Sequence, residues 1–492
     1  MPRCVLVAGA GPVGLTMAAE LARYRVPVRI IGQAATRTDK SKALAIWPRT
    51  LELLDRAGCA GAFAASGLKS EAIAILSGKQ TIARVTFDDV DSPFNYLLMI
   101  PQSETERLLE AHLGSLGGEV ERGVALTGFT QSEECVTGTL RHPDGSSETF
   151  EASWLIGCDG AHSLVRQTLG MAFAGDTLPT TFLLADIHVA GLEVPETELA
   201  LFWHHDGSVV FFPISPGRYR IIADIGASPL HEPTFEEVQA IVARRATGVT
   251  LSDPIWLAGF RVNERKVEDY RAGRAFLAGD AAHIHSPAGG QGMNTGMQDA
   301  FNLAWKLALV ERGRAGPDLL GSYSEERSAV AERVLSESGR LTRVATVKNY
   351  LLQDLRNFVA HRILGLSAAR HAMAERLSEI TIGYPASKLN AGSAKGLAGP
   401  QPGERILAER PFGAGEAPRF ALLAREDAPA RAILRRHAPL LESDIRKPPD
   451  EAGIWLVRPD GYVASVARAG DWAVIDDCLA RIAAGALQAA PA

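Results

Sequence analysis

The stretch with the most evident chemistry is residues 279–294, GDAAHIHSPAGGQGMN. An apolar run, Ala275-Phe276-Leu277-Ala278, leads straight into Gly279-Asp280. A loop rich in proline and glycine follows, with Pro287, Gly289, Gly290 and Gly292. Then Phe301, Leu303, Ala304, Leu307 and Ala308 recur at helical spacing, which predicts a helix starting near Met293. A short acid at a strand end can bond a sugar-like hydroxyl. A glycine-rich loop lets a flat ring approach the backbone closely. A helix N-terminus at Gly292, Met293 and Asn294 presents unpaired N–H groups and a partial positive charge. These features suit a polyol ending in an electron-accepting ring whose reduced form is anionic, which describes the flavin half of FAD. A bare strand–turn–helix crossing would also carry turn glycines, so the reading needs further elements.

The elements that must position this loop lie far away in sequence. Cys4-Val5-Leu6-Val7-Ala8 reads as a buried strand, and Gly9-Ala10-Gly11-Pro12-Val13-Gly14 fits the GxGxxG dinucleotide fingerprint. Leu15 to Tyr24 continues as an amphipathic helix whose N-terminus would receive a pyrophosphate. The second strand, Val28-Arg29-Ile30-Ile31, should end in an acid that holds the adenosine ribose, but Gly32-Gln33 stands there. Gln33 or water would have to take that role. A third element, Leu155-Ile156-Gly157-Cys158-Asp159-Gly160, is again an apolar strand ending in Asp-Gly, followed by Ser163 and Arg166. A simple strand-end turn is the alternative there, since Asp-Gly is a common turn pair.

In this order the three elements resemble the class A FAD-dependent aromatic hydroxylases, the single-component flavoprotein monooxygenases. Lys42-Ala43 through Pro48-Arg49-Thr50-Leu51-Glu52 looks like the family segment that passes near the flavin, with Lys42 where arginine is usual. Ile100-Pro101-Gln102 through Glu106 looks like the segment whose Gln102 contacts the cofactor, and Tyr323 through Glu326-Arg327 like the segment after the GD helix. The resemblance covers about the first 390 residues. It implies non-covalent FAD, reduced by NADPH or NADH as a transient visitor, then reaction with O2 to a flavin hydroperoxide that hydroxylates a phenolic or polyketide-type ring. A non-catalytic relative that shields an intermediate is the alternative, kept open by the missing acid at Gly32.

The implied fold is α/β: a Rossmann-like FAD-binding domain, a β-sheet substrate domain and a C-terminal thioredoxin-like domain. The FAD domain would take residues 1–175, with a short insertion at 76–97, and residues 263–345. The substrate sheet would take 176–262, and 346–398 would be a helical segment and linker. The thioredoxin-like domain, 399–492, has no CxxC and so no disulfide chemistry. Gly399-Pro400-Gln401-Pro402-Gly403 reads as a linker at which the chain can be cut without loss of NAD(P)H oxidation.

Composition fits an ordinary enzyme of 492 residues with net charge −6 and 46% apolar content. It gives no basic surface for nucleic acid and no span for a membrane. Five scattered cysteines suggest a reducing, cytoplasmic setting, with the chain a monomer or homodimer.

The cofactor carries most of the chemistry, leaving the chain to exclude water and raise the electron density of the ring. Pro287 of the loop and Lys42 are candidates beside the flavin, and His205, next to His204, is a candidate base. A histidine at a hairpin tip beside Asp206-Gly207 would be the plainer explanation. Arg220 and Tyr219 are alternatives. Trp47, Trp203 and Phe212 are candidate pocket walls. Half of Phe202, Trp203, Phe211 and Phe212 should face a core, because side chains alternate along a strand.

Overall fold

The computed structural model describes residues 4–38, 43–287, 289–345 and 350–484. Five parallel strands form the head of the molecule in the order Ala275–Leu277, Ser147–Gly157, Cys4–Ala8, Val28–Gly32, Val120–Arg122. Numbered along the chain this is 5-4-1-2-3, the doubly wound order with its crevice at the strand ends. Cys4–Ala8 is apolar throughout because it sits at the centre of this sheet, between two parallel neighbours. Pro12 opens the following helix, Pro12–Arg23, where its missing N–H costs nothing.

A second sheet of eight strands lies across the molecule, in the order His283–Ile284, Thr250–Lys266, Ala174–Ala190, Arg218–Asp224, Gly207–Ser215, Glu198–His204, Ala72–Ser77, Gln80–Thr86. The hairpin 72–86 therefore belongs to this sheet, through parallel pairing of Ala72–Ser77 with Glu198–His204. This hairpin overlaps the expected insertion at 76–97 and begins before it, at Ala72. Sequence hides the pairing because its strands are more than a hundred residues apart. Alternation divides the sheet faces: Phe202, Phe211 and Tyr219 pack in a core with Val238, Ile241 and Val242 of the helix Phe235–Arg245. Trp203, Phe212 and Arg220 point the other way.

The C-terminal sheet runs Ala391–Gly392, Val463–Arg468, Gly453–Val457, Phe420–Leu423, Leu441–Arg446, with the helices Ala428–Arg436 and Trp472–Ala484. It begins before residue 399. Residues 399–403 are bound into it: the Gly403 N–H donates to Val463 O, and the Trp455 indole N–H donates to Pro400 O at 3.0 Å. The turn Arg458-Pro459-Asp460-Gly461 drives into the first domain. Arg458 grips Glu326 through two bonds of 2.7 and 2.9 Å and also binds Asp460, with Arg458 and Glu326 fully buried. Glu326 also takes bonds from Lys306 and Asn302. Asp460 accepts from the Trp305 indole, and its carbonyl accepts from Arg49. Burial alone would raise the Glu326 carboxyl, but Arg458 and Lys306 hold it well below the usual range. Burial pushes the Lys306 amine down to about 8 against the pull of Glu326.

These bonds argue against a cut at Gly399 that leaves the remaining fold undisturbed. Removing the tail would take Arg458 from the buried Glu326 and Asp460 from the Trp305 indole, leaving Glu326 to Lys306, Asn302 and Ser387. Among the described residues, no helix is long and apolar enough to cross a membrane. Breaking a buried ion pair by removing one partner costs roughly 3–5 kcal/mol. Arg458→Met should therefore destabilise the protein by about that amount, read as a lower denaturant midpoint. An unchanged midpoint would mean that the tail is not anchored by this turn.

Candidate functional site

The three motif turns touch one another. Gly9 has φ +111°, and a Cβ there would collide with the carbonyl of Cys158, just before Asp159. Gly279 has φ +61°, and a Cβ there would lie 2.7 Å from Val13 Cγ2. A Cβ at Gly296 would meet the same methyl at 2.7 Å. Gly14 packs on Gly9, while Gly11 has open space around it, as a turn approached by a pyrophosphate requires. Arg166 spans two motifs, donating to Ala161 O at 2.7 Å and to Ala281 O at 3.0 Å.

Asp299, fully buried, clamps the GD turn. One carboxylate oxygen accepts from the Gly279 N–H at 3.0 Å and from His283 Nε2 at 2.8 Å. The other accepts from Arg327 Nε at 2.6 Å. Burial would raise this carboxyl, but Arg327 and His283 hold it below its ordinary value. Asp299 has no motif of its own, standing among several polar residues of its helix. Its partners His283 and Arg327 could not be read from the sequence.

Two observations fit the crevice to FAD. Asp159 Oδ2 accepts from Val165 N at 3.1 Å, whereas its Oδ1 is buried with no partner among the described residues and wants a donor such as a ligand hydroxyl. The helix Gly292–Glu311 makes its first backbone bond from Thr295 to Gln291 O. The backbone N–H groups of Gly292, Met293 and Asn294 precede it, with no partner among the described residues. Asp280 is exposed at the turn, and Pro287 is exposed in the loop.

The loop is held from below. Asn294 Oδ1 accepts from Trp47 N at 2.9 Å, and its amide donates to Ala45 O and Gly290 O. The Trp47 indole donates to Gly289 O at 2.9 Å. Trp47 is thus a buried prop for the loop rather than an open pocket wall. Gln102 accepts from Ala43 N at 3.2 Å and donates to Glu106 at 2.9 Å, tying the segment after position 42 to its helix. Lys42 itself lies outside the described residues. Gln33 is exposed. Beyond Gly32 opens a cleft of about 650 Å³ lined by Arg37, Arg107, Arg122 and Glu110. A Cβ at Gly32 would stand 3.9 Å from Arg122 Nη1, so a guanidinium flanks the place of the missing acid.

Across the other face of the second sheet, one register row reads Phe212, Arg220, Asp186, Trp256. Phe212 and Leu199 share an apolar cluster with Trp47, which places this row beside the loop. In the row, Arg220 is buried and binds Asp186 through two bonds of 2.7 and 2.8 Å, with its guanidinium 5.4 Å from the Trp256 ring. Tyr219 belongs to the opposite core. Two expectations fail. Trp203 is four residues along its strand from Leu199, roughly 13 Å at the strand rise of ~3.3 Å per residue. It packs with Ile75 and Ile82 and against Arg356, away from Phe212. His205 is 75% exposed at the hairpin tip, 3.1 Å from Asp206, so it is no base facing the crevice.

Comparison with known proteins agrees with this geometry. Residues 3–338 match the FAD binding domain family. The chain is 37% identical to 6-methylpretetramide 4-monooxygenase of Streptomyces rimosus, covering 94% of this chain and 90% of that protein. It superposes on the anhydrotetracycline hydroxylase from Streptomyces rimosus with a TM-score of 0.78, 30% identity and full coverage of both chains. It also superposes on aklavinone-11 hydroxylase, solved with FAD and aklavinone, with a TM-score of 0.75 and 26% identity over 98% of this chain and 99% of that one. The chain belongs to the FAD-dependent aromatic hydroxylases, the single-component flavoprotein monooxygenases.

Proposed function

We propose that this hydroxylase acts on a phenolic, polycyclic ring of the polyketide type, with FAD lying across the three converging turns. The observation that carries the reading is that convergence, with the Asp159 oxygen left unpartnered beside it. Similarity over nearly the whole chain to 6-methylpretetramide and anhydrotetracycline hydroxylases supports a polycyclic substrate. When bound, FAD would take a hydride from NADPH or NADH and deliver one oxygen atom of O2 to the ring.

Each part of the chain has a task in this reading. Gly11, Pro12 and Val13 offer a helix N-terminus to the pyrophosphate. Asp159 and Asp280 accept from hydroxyls of the cofactor. The N–H groups of Gly292, Met293 and Asn294 face the ring edge where negative charge collects. Phe212 and its neighbours exclude water. Arg220, fixed by Asp186, takes over from His205 as the candidate that favours a phenolate. Five free cysteines support action in a reducing cytoplasm. The strand order of the tail supports a thioredoxin-like label for it, with a packing role.

A charge-assisted hydrogen bond contributes roughly 1.5–3 kcal/mol. Asp280→Ala should weaken FAD binding by about tenfold to a hundredfold, read by titrating the apo-protein. It should leave folding unchanged, since Asp280 is exposed. Full affinity in this variant would remove the GD turn from the site. A panel of phenols and polyketide quinones should contain compounds that stimulate NAD(P)H oxidation and O2 uptake with hydroxylated product. A protein that binds FAD yet oxidises NAD(P)H at one rate whatever ring is added would instead be the non-catalytic relative.

A further inference from the structure

Glu379 is an exception on three counts. Its φ is +60°, a conformation rare for a side chain of its size. It is 1% exposed. It makes no salt bridge among the described residues, although buried carboxylates are normally paired. Its carboxyl reaches the first turns of the helix Gly292–Glu311: Gln298 Nε2 donates to Oε2 at 2.6 Å, and Oε1 is 3.4 Å from the Thr295 hydroxyl. Thr295 has one hydroxyl hydrogen, and Gln291 O, at 3.0 Å, takes it. The contact with Oε1 is then satisfied when the carboxyl carries the hydrogen.

The cations near Glu379 are committed elsewhere. Arg327 is bonded to Asp299 and to the Tyr384 hydroxyl, and Arg49 to Glu52 and Asp460 O. From the remaining side, Thr50 bonds the Gln298 amide. Residue 379 is also fixed in place by its neighbours: Ser378 O accepts from Arg49 N, and Gln291 Nε2 donates to Arg376 O.

We propose that Glu379 is a positioning residue that sets how strongly the N-terminal turn of this helix attracts negative charge. Protonated, it leaves the field of the turn intact. Ionised, it sets a negative charge behind the N–H groups of Gly292, Met293 and Asn294 and opposes any anion in front of them. When negative charge arrives at the turn, Glu379 takes one proton from solvent, and no other bond is made or broken. This inference rests on the reading that flavin lies at that turn. Burial pushes the Glu379 carboxyl up to about 8, with Gln298 and Arg327 pulling the other way, so the exchange falls in the working pH range.

The test compares the full chain with Glu379→Gln and Glu379→Gly. In the FAD-free protein, a raised carboxyl favours folding fully below its ordinary value, and that contribution is lost as pH rises toward 8. The thermal midpoint of the parent should thus fall relative to Glu379→Gln between pH 5 and pH 8. With FAD bound, the parent's flavin potential should drop more steeply with pH around 8 than that of either variant, the slope approaching twice theirs. Equal slopes in parent and Glu379→Gln overturn the proposal. So does a change seen only in Glu379→Gly, which would trace the effect to the backbone. Failure of all three proteins to bind FAD overturns the functional reading and this inference with it.

Discussion

The carbonyl of Cys158 lies where a side chain at position 9 would have to stand, and Val13 presses closely on both Gly279 and Gly296. These contacts bring three turns, drawn from residues 9–14, 158–166 and 279–296, onto one wall at the ends of the parallel strands. The doubly wound order makes the crevice there, and the lack of side chains lets the backbones meet. Gly11, Pro12, Val13, Asp159, Asp280, Gly292, Met293 and Asn294, proposed above to meet FAD, all stand on these turns. Asp299 and Arg166 turn the contact into a fixed geometry, one by gripping Gly279 and the other by spanning Ala161 and Ala281.

The helix Gly292–Glu311 links the site to the rest of the molecule. Nearly all of it is buried, as expected of a helix inside a large core rather than on its surface. Its first turn offers N–H groups to the crevice, and Thr295 and Gln298 meet Glu379. Asp299 holds the GD turn one step further along. Trp305 then bonds Asp460 of the C-terminal turn, and Asn302 and Lys306 bond Glu326, which Arg458 of that turn grips. A disturbance of the tail thus reaches the helix that bears the candidate flavin site.

Much of this was legible in the sequence because it depends on local signals. The GxGxxG at Gly9, the Asp-Gly at Asp159 and the Gly-Asp at Gly279 each follow an apolar strand, and the structure places all three at strand ends. The rest depends on pairing between distant segments. The Arg220–Asp186 pair needs the register of two strands, and the Arg458–Glu326 pair joins residues 132 apart. His205 and Trp203 stand out by residue type and strand position, but the register sets one at an exposed tip and the other in a separate cluster. Glu379 had no motif to announce it. Only its backbone angle, burial and partners distinguish it.

The proposed position of FAD, across the three joined turns, can be probed in solution. Amide hydrogen exchange of the apo-protein with and without FAD addresses it directly, because a bound ligand slows local opening where it touches. Slowed exchange is expected at residues 9–14, 158–166 and 289–295 together, the protection rising with FAD in one transition, with no direct effect on residues 391–484. Slowed exchange confined to the cleft at Arg37, Arg107 and Arg122, or absent from the turn after Gly279, would contradict that position.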